Sequence, residues 1–248
     1  MVTKRKPEDI LKEAEASDVR YKAGKTTGVL DGMPMTIKDN IFVKGLQASA
    51  ASKALEGFIA PVNSTTAQRL INKKAVIMGT ANMDEFGMGS YGERGYNGTM
   101  VKNAINDEYF PGGSSAGSAS SVKSYQCLGS IGTDTGGSIG QPAHGCGLYG
   151  LKPSFGRVSR FGKILYSSSQ DVNGPLAHSP ADLYHIFNAI QGEDAADSNS
   201  VNFEKINEFM FRDADKRRTL DKSTLSEKDL KTPDMKGITI GVLEEFQI

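Results

Sequence analysis

Three residues stand where nucleophilic chemistry could be built: Lys38, Ser114 and Ser138. Ser138 closes the run Asp134-Thr135-Gly136-Gly137-Ser138, whose glycines allow consecutive backbone N–H groups to converge on one point beside a hydroxyl. Such a turn is an oxyanion hole with a serine alongside; the same residues also describe a plain glycine turn with a helix-capping serine. Ser114 likewise follows two glycines, in Gly112-Gly113-Ser114-Ser115. A lysine with an ordinary pKa of about 10.4 acts as a base only when burial lowers it by roughly three units, about 4 kcal/mol of differential solvation. Lys38, placed after Met33-Pro34-Met35-Thr36-Ile37, is positioned for such burial or for the ordinary alternative of snorkelling to water. A Ser-His-Asp site is a rival, but His144, the nearest histidine, follows Ser138 by only six positions and has no evident orienting acid.

Composition narrows the setting. The 248 residues include 29 basic and 29 acidic side chains, so the positive surplus that direct binding of tRNA, DNA or an anionic membrane demands is missing. Cys127 and Cys146, nineteen positions apart, match neither a Cys-x-x-Cys zinc pair nor a disulfide framework, and three scattered histidines do not make a metal site. A metal-free enzyme of a reducing compartment is expected. No apolar run approaches the length of a membrane span. Lys4, Arg5 and Lys6 are followed at once by Glu8, Asp9, Glu13, Glu15 and Asp18, unlike the acid-poor character of a cleavable presequence. The 28 glycines show no Gly-X-Y period and point to tight turns around a site.

The elements that must position these residues alternate. Pro7, Glu8 and Asp9 form a first turn for a helix over 7–21, and a polar loop follows over 23–28. The run Met33 to Ile37 predicts a buried strand that delivers Lys38 at its end. Ser64 or Thr65 caps a helix running to Lys74, and Ala75 to Gly79 is a second buried strand. The Gly-, Ser- and Ala-rich stretch 111–121 resembles a flexible linker, yet it runs without a break into a predicted helix over 122–128 and strand over 129–132, which places it inside the fold. Ser138 is expected to open a short helix. Ser179-Pro180-Ala181-Asp182 is a capping box, opening a helix with Leu183, Ile186, Phe187 and Ile190 on one face. Charge-rich residues 192–236 read as a surface excursion with one helix near 203–212, and 237–243 as a strand. The alternation implies one α/β domain over 1–248.

Three segments carry a family resemblance. Gly112 to Ala119, Gly132 to Ala143 and Cys146 to Gly162 together resemble the amidase signature family over some fifty positions. Within it, Met35 to Asn40, Gly79 to Ser90 and Ser159 to Gly162 are similar to the A subunits of glutamyl-tRNA(Gln) amidotransferases, with the Gly79 to Ser90 stretch read as standing apart from the reacting bond. The resemblance implies an amidase signature fold, a mixed β-sheet core flanked by helices on both faces and incomplete at the C-terminus. It also implies a Ser-cis-Ser-Lys triad: Ser138 the nucleophile, Ser114 the bridging serine after a cis peptide and Lys38 the base, with the N–H groups of Thr135, Gly136, Gly137 and Ser138 as the oxyanion hole. The implied reaction releases ammonia from glutamine for a B-type partner subunit, which together with a C-type subunit converts glutamyl-tRNA(Gln) to glutaminyl-tRNA(Gln). The chain itself then needs no cofactor; ATP, magnesium and tRNA fall to the partner. Gly140 departs from the family, which carries arginine there, and the ending at Ile248 leaves out the part that holds the amino and carboxylate groups of glutamine. Two other functions stay open, a different hydrolase of small amides and a truncated, catalytically silent scaffold. The short segment before Gly28, Gly140 and the divergence over 91–107 point to a mitochondrial member, with bacterial cytoplasm as the alternative.

Overall fold

In the computed structural model, which describes residues 2–202 other than 94 and 97, five strands form one sheet. They are β1 (Pro34–Lys38), β2 (Val76–Ala81), β3 (Gly129–Asp134), β4 (Tyr149–Gly150) and β5 (Val172–Ala177), in the order β2-β1-β3-β5-β4. β1 runs parallel to β2 and β3, whereas β5 is antiparallel to β3 and β4, so the sheet is mixed. The helices are α1 (Pro7–Lys22), α2 (Thr65–Asn72), α3 (Ala116–Lys123), α4 (Gly140–Gly145) and α5 (Pro180–Ile190).

Side chains alternate across a strand, and β1 shows what each face requires. Met35 and Ile37 join Ile77, Ile131, Leu70 of α2 and Leu183, Ile186 and Ile190 of α5 in the main apolar cluster. Thr36, on the opposite face toward α3, donates to Ser130 Oγ at 2.8 Å and lies 3.0 Å from Ser121 Oγ. Lys38 shares that second face. Helices therefore cover both faces, and every residue of β3 and β5 is buried.

Helix caps behave as their sequences dictate. Ser64 Oγ accepts the Ala67 N–H at 3.1 Å, and Ser179 Oγ accepts the Asp182 N–H at 3.1 Å. α2 stops at Asn72 rather than Lys74, whose φ of +63° breaks the helix. α3 differs more. The helix expected over 122–128 lies at Ala116–Lys123, built from the small-residue stretch itself, and Tyr125 with φ +56° terminates it. Glycine and serine have modest helix propensity, but here the small residues let the helix approach the sheet: a Cβ on Gly117 would sit 2.5 Å from the Asn82 backbone N and O. β2 and β3 each run two residues beyond their expected ends.

Ser138 does not open a helix. α4 begins at Gly140, because Pro142 has no N–H to give the Ser138 carbonyl, which takes the Ser115 N–H instead. β4 and β5 went unread in the sequence, since Gly174 and Pro175 argue against a strand. Pro175 is tolerated where the chain at Leu151 crosses, its N–H donating to Pro175 O at 3.0 Å; Gly174 leaves room for that crossing. Residues 192–202 are tied back by Asp194, which accepts the Ser159 hydroxyl, and by Asp197, which accepts the Arg160 N–H. The rest of the 192–236 excursion, its helix and the 237–243 strand lie outside the described residues.

The Gly117 contact is checked by urea unfolding. Gly117→Ala is expected to lose about 2–3 kcal/mol, whereas Gly140→Ala, with open space around the new methyl, is expected to stay within about 0.5 kcal/mol of the unmutated chain. Equal stability of the two variants would contradict the close approach.

Candidate active site

β1 carries Lys38 to the end of the sheet, where the side chain is 0 % exposed. It does not snorkel. Its Nζ lies 2.7 Å from Ser114 Oγ, 2.9 Å from Ser115 Oγ and 2.8 Å from Thr133 Oγ1. Burial first, and then the charge of Lys163, hold the Lys38 pKa well below 10.5 against the opposing pull of Asp84, Asp134 and Asp171.

The donors and acceptors around Nζ can be counted. The Ser115 hydroxyl donates to Thr133 O at 3.0 Å, so its oxygen can only accept from Lys38. Thr133 Oγ1 accepts from Asn40 Nδ2 at 3.3 Å and from Lys38 at 2.8 Å. Those two acceptors, with the Thr133 carbonyl oxygen a longer third at 3.4 Å, can take the two N–H bonds of a neutral amine. The third neighbour, Ser114, lies 2.7 Å away, where its hydroxyl accepts from the ammonium form or donates to the lone pair of the neutral amine. The shell accommodates either form, and burial favours –NH2.

Ser138 and its turn are built by Asp134, which ends β3. Its buried carboxylate accepts the Gly137 N–H at 2.8 Å and the Ile139 N–H at 2.6 Å, and pairs with Lys152 Nζ at 2.9 Å. Burial alone would raise the Asp134 pKa, but these bonds hold it below the usual carboxylate value. Gly137 takes φ +114°, which only glycine adopts readily. Its N–H faces inward. Among the described residues the N–H groups of Thr135, Gly136 and Ser138 have no acceptor, so three of the four expected oxyanion donors are open. Ser138 is half-buried, and its carbonyl accepts the Ser115 N–H at 3.2 Å, which ties the turn to the loop carrying Ser114. The Gly113–Ser114 peptide is cis.

The stretch Gly79 to Ser90 packs against the loop that carries Ser114. Asp84 N–H donates to Ser114 O at 3.3 Å, and a Cβ on Gly87 would stand 3.7 Å from Ser114 Oγ. Ser115, Thr133 and Asp134 were not singled out as individual parts of the machinery from sequence. The available signal was a run of hydroxyl residues and an acid inside otherwise buried strands. His144 lies exposed in the last turn of α4, and no side-chain hydrogen bond joins it to Ser138 among the described residues. Among those residues no group of His, Cys, Asp and Glu is arranged to hold a metal, both cysteines are free, and no helix is long and apolar enough to cross a membrane.

Comparison with known proteins places this arrangement. The sequence profile of the Amidase family matches residues 3–236. The chain belongs to the amidase family. Over 195 residues it is 48% identical to the A subunit of the Acinetobacter baumannii glutamyl-tRNA(Gln) amidotransferase, covering 79% of this chain and 39% of that protein. The crystal structure of the Thermotoga maritima counterpart aligns with a TM-score of 0.67 at 38% identity, over 69% of this chain and 38% of that one. The native peptide amidase of Stenotrophomonas maltophilia aligns with a TM-score of 0.72 at 40% identity, over 77% and 40% respectively. The fold is that of the amidases, and the chain spans about two fifths of the length of these relatives.

A depressed lysine also marks stability. Folded Lys38 holds its proton less tightly than an unfolded lysine, so from the lowered value up to 10.5 the unfolded chain binds more protons and stability rises with pH. In urea unfolding across that window, Lys38→Met is expected to show a shallower rise than the unmutated chain. Parallel curves would show that the buried amine keeps its ordinary proton affinity.

Proposed function

We propose that the chain forms the amide-hydrolysing site in the A subunit of an amidotransferase, with the side-chain amide of glutamine as its substrate. The observation that carries this reading is a fully buried lysine whose amine, held toward its neutral form by burial, lies 2.7 Å from the Ser114 hydroxyl while Ser115 and Thr133 accept from it. Neutral Lys38 takes the proton of Ser114 as Ser114 takes that of Ser138, and Ser138 Oγ bonds to the amide carbon. The oxyanion that develops meets the open N–H groups of Thr135, Gly136 and Ser138, while Gly137 shapes the turn through Asp134. Return of the proton to nitrogen releases ammonia and leaves an ester on Ser138; water, activated by the same relay, then frees glutamate.

The 48% identity to the corresponding part of a bacterial amidotransferase supports delivery of the ammonia to a B-type subunit, with a C-type subunit in the assembly. ATP, magnesium and glutamyl-tRNA(Gln) belong with that partner, in keeping with the balanced charge of 29 basic and 29 acidic residues here. Bacterial relatives support the bacterial cytoplasm over the mitochondrion as its compartment. The 40% identity to a peptide amidase supports a second reading, hydrolysis of other amides without partners. Co-purification of a B-type subunit separates the two.

In a complex reconstituted with its partners, Ser138→Ala is expected to cut ammonia release from glutamine by about 10⁴-fold or more, and Lys38→Ala by nearly as much, since residues acting as a unit are not additive. Ser114→Ala should cost somewhat less. Wild-type rates in Ser138→Ala would overturn the assignment. The pH–rate profile is expected to fall on the acid side as Lys38 gains its proton, and His144→Ala to leave that limb in place. Loss of the limb in His144→Ala, with activity surviving in Lys38→Ala, would point instead to a histidine base.

A further inference from the structure

A second lysine is buried at the same end of the sheet. Lys163 Nζ lies 3.0 Å from Asp171 Oδ2, with the two side chains 0 % and 1 % exposed. Beyond that ion pair, Nζ has no aligned hydrogen-bond partner among the described residues. A buried ammonium with spare donors is costly, so its charge is what the site gains from it.

We propose that Lys163 is a positioning residue that, through its ion pair with Asp171, fixes Thr135 at the start of the Ser138 turn and keeps the amine of Lys38 neutral. The inference rests on the reading of Lys38 as the base. Two chains of contacts lead from the pair to the two halves of the site. Asp171 accepts the Thr135 hydroxyl on Oδ1, together with the Ser167 N–H at 3.1 Å, while Oδ2 accepts the Tyr166 N–H at 2.8 Å. On the other side, Lys163 bridges Ile41 and Ile164 N–H donates to Asn40 O at 2.8 Å; Asn40 Nδ2 in turn reaches Thr133 Oγ1, an acceptor of Lys38.

The charges facing Lys38 are Lys163, Asp84, Asp134 and Asp171; those facing Lys163 are Asp171, Arg160 and Asp134, the last also paired with Lys152. With Lys163 protonated, Asp171 is neutralised and a like charge stands against a proton on Lys38. Without it, Asp171 becomes an unpaired buried carboxylate that favours the ammonium form of Lys38. Burial lowers the Lys163 pKa itself to about 8, so the device operates below that pH.

The test is an NMR titration of the full chain with lysines labelled at Cε and Nζ, the two signals being assigned with Lys38→Met and Lys163→Met. In Lys163→Met the Lys38 midpoint is expected to rise by about one pH unit, and the acid limb of ammonia release to move up with it, giving about tenfold loss below the limb and recovery above it. A purely structural role would lower the plateau and leave the limb where it was. An unmoved Lys38 midpoint overturns the proposal. If Lys163→Met does not fold, Lys163→Arg decides: a charge that stays in place should keep the Lys38 midpoint from rising, and a midpoint that rises in Lys163→Arg overturns the proposal. A midpoint that moves while the rate limb stays fixed upholds the coupling and overturns Lys38 as the base.

Discussion

An amine sealed from water at the end of β1 sets the terms for the rest of the molecule. Desolvation of Lys38 favours its uncharged form, and that form needs two acceptors and one donor at fixed places. Ser115, Thr133 and Ser114 fill those places, and each comes from a different constraint. Ser115 precedes the first turn of α3, Thr133 lies near the end of β3, and Ser114 follows the glycine pair held against Asp84 and Tyr91. Shifting any one of these elements by an ångström would strand an N–H or a lone pair in the interior, at a cost of about 1–3 kcal/mol.

The two faces of the sheet answer different needs. One is filled by branched aliphatic side chains between the strands, α2 and α5. The other is faced by a helix of Ala, Gly and Ser whose hydroxyls are satisfied at short range, Ser118 on Ile131 O at 3.2 Å and Ser121 on Ser118 O at 3.0 Å. Small hydroxyl residues allow backbones to approach and still leave no polar group unpaired. That gives Lys38 a rigid polar wall instead of a yielding apolar one.

Much of this was legible where local chemistry and tertiary demand agree. Ser64 and Ser179 announced their helices, the Met33 to Ile37 run announced the strand beneath Lys38, and the paired glycines before Ser114 and Ser138 announced both turns. Legibility failed where tertiary contact overrides propensity. Gly174 and Pro175 concealed β5, the small residues of 111–121 were placed inside the fold without showing that α3 starts among them, and Asp134 gave no sign that it would claim the Gly137 and Ile139 N–H groups. Lys163 passed unnoticed for a similar reason, since a lysine in a loop carries no sequence mark of burial.

The contacts around the Lys38 amine join residues 76 to 95 positions apart in the chain. Pairings of such long range are among the last to be stabilised as a polypeptide collapses, because the closure entropy must be met first. Until β3 has docked beside β1, Lys38 is an ordinary hydrated ammonium and Ser138 an ordinary alcohol. The environment that lowers the proton affinity of Lys38 therefore does not exist in a nascent or partly unfolded chain and arises only when the sheet has closed.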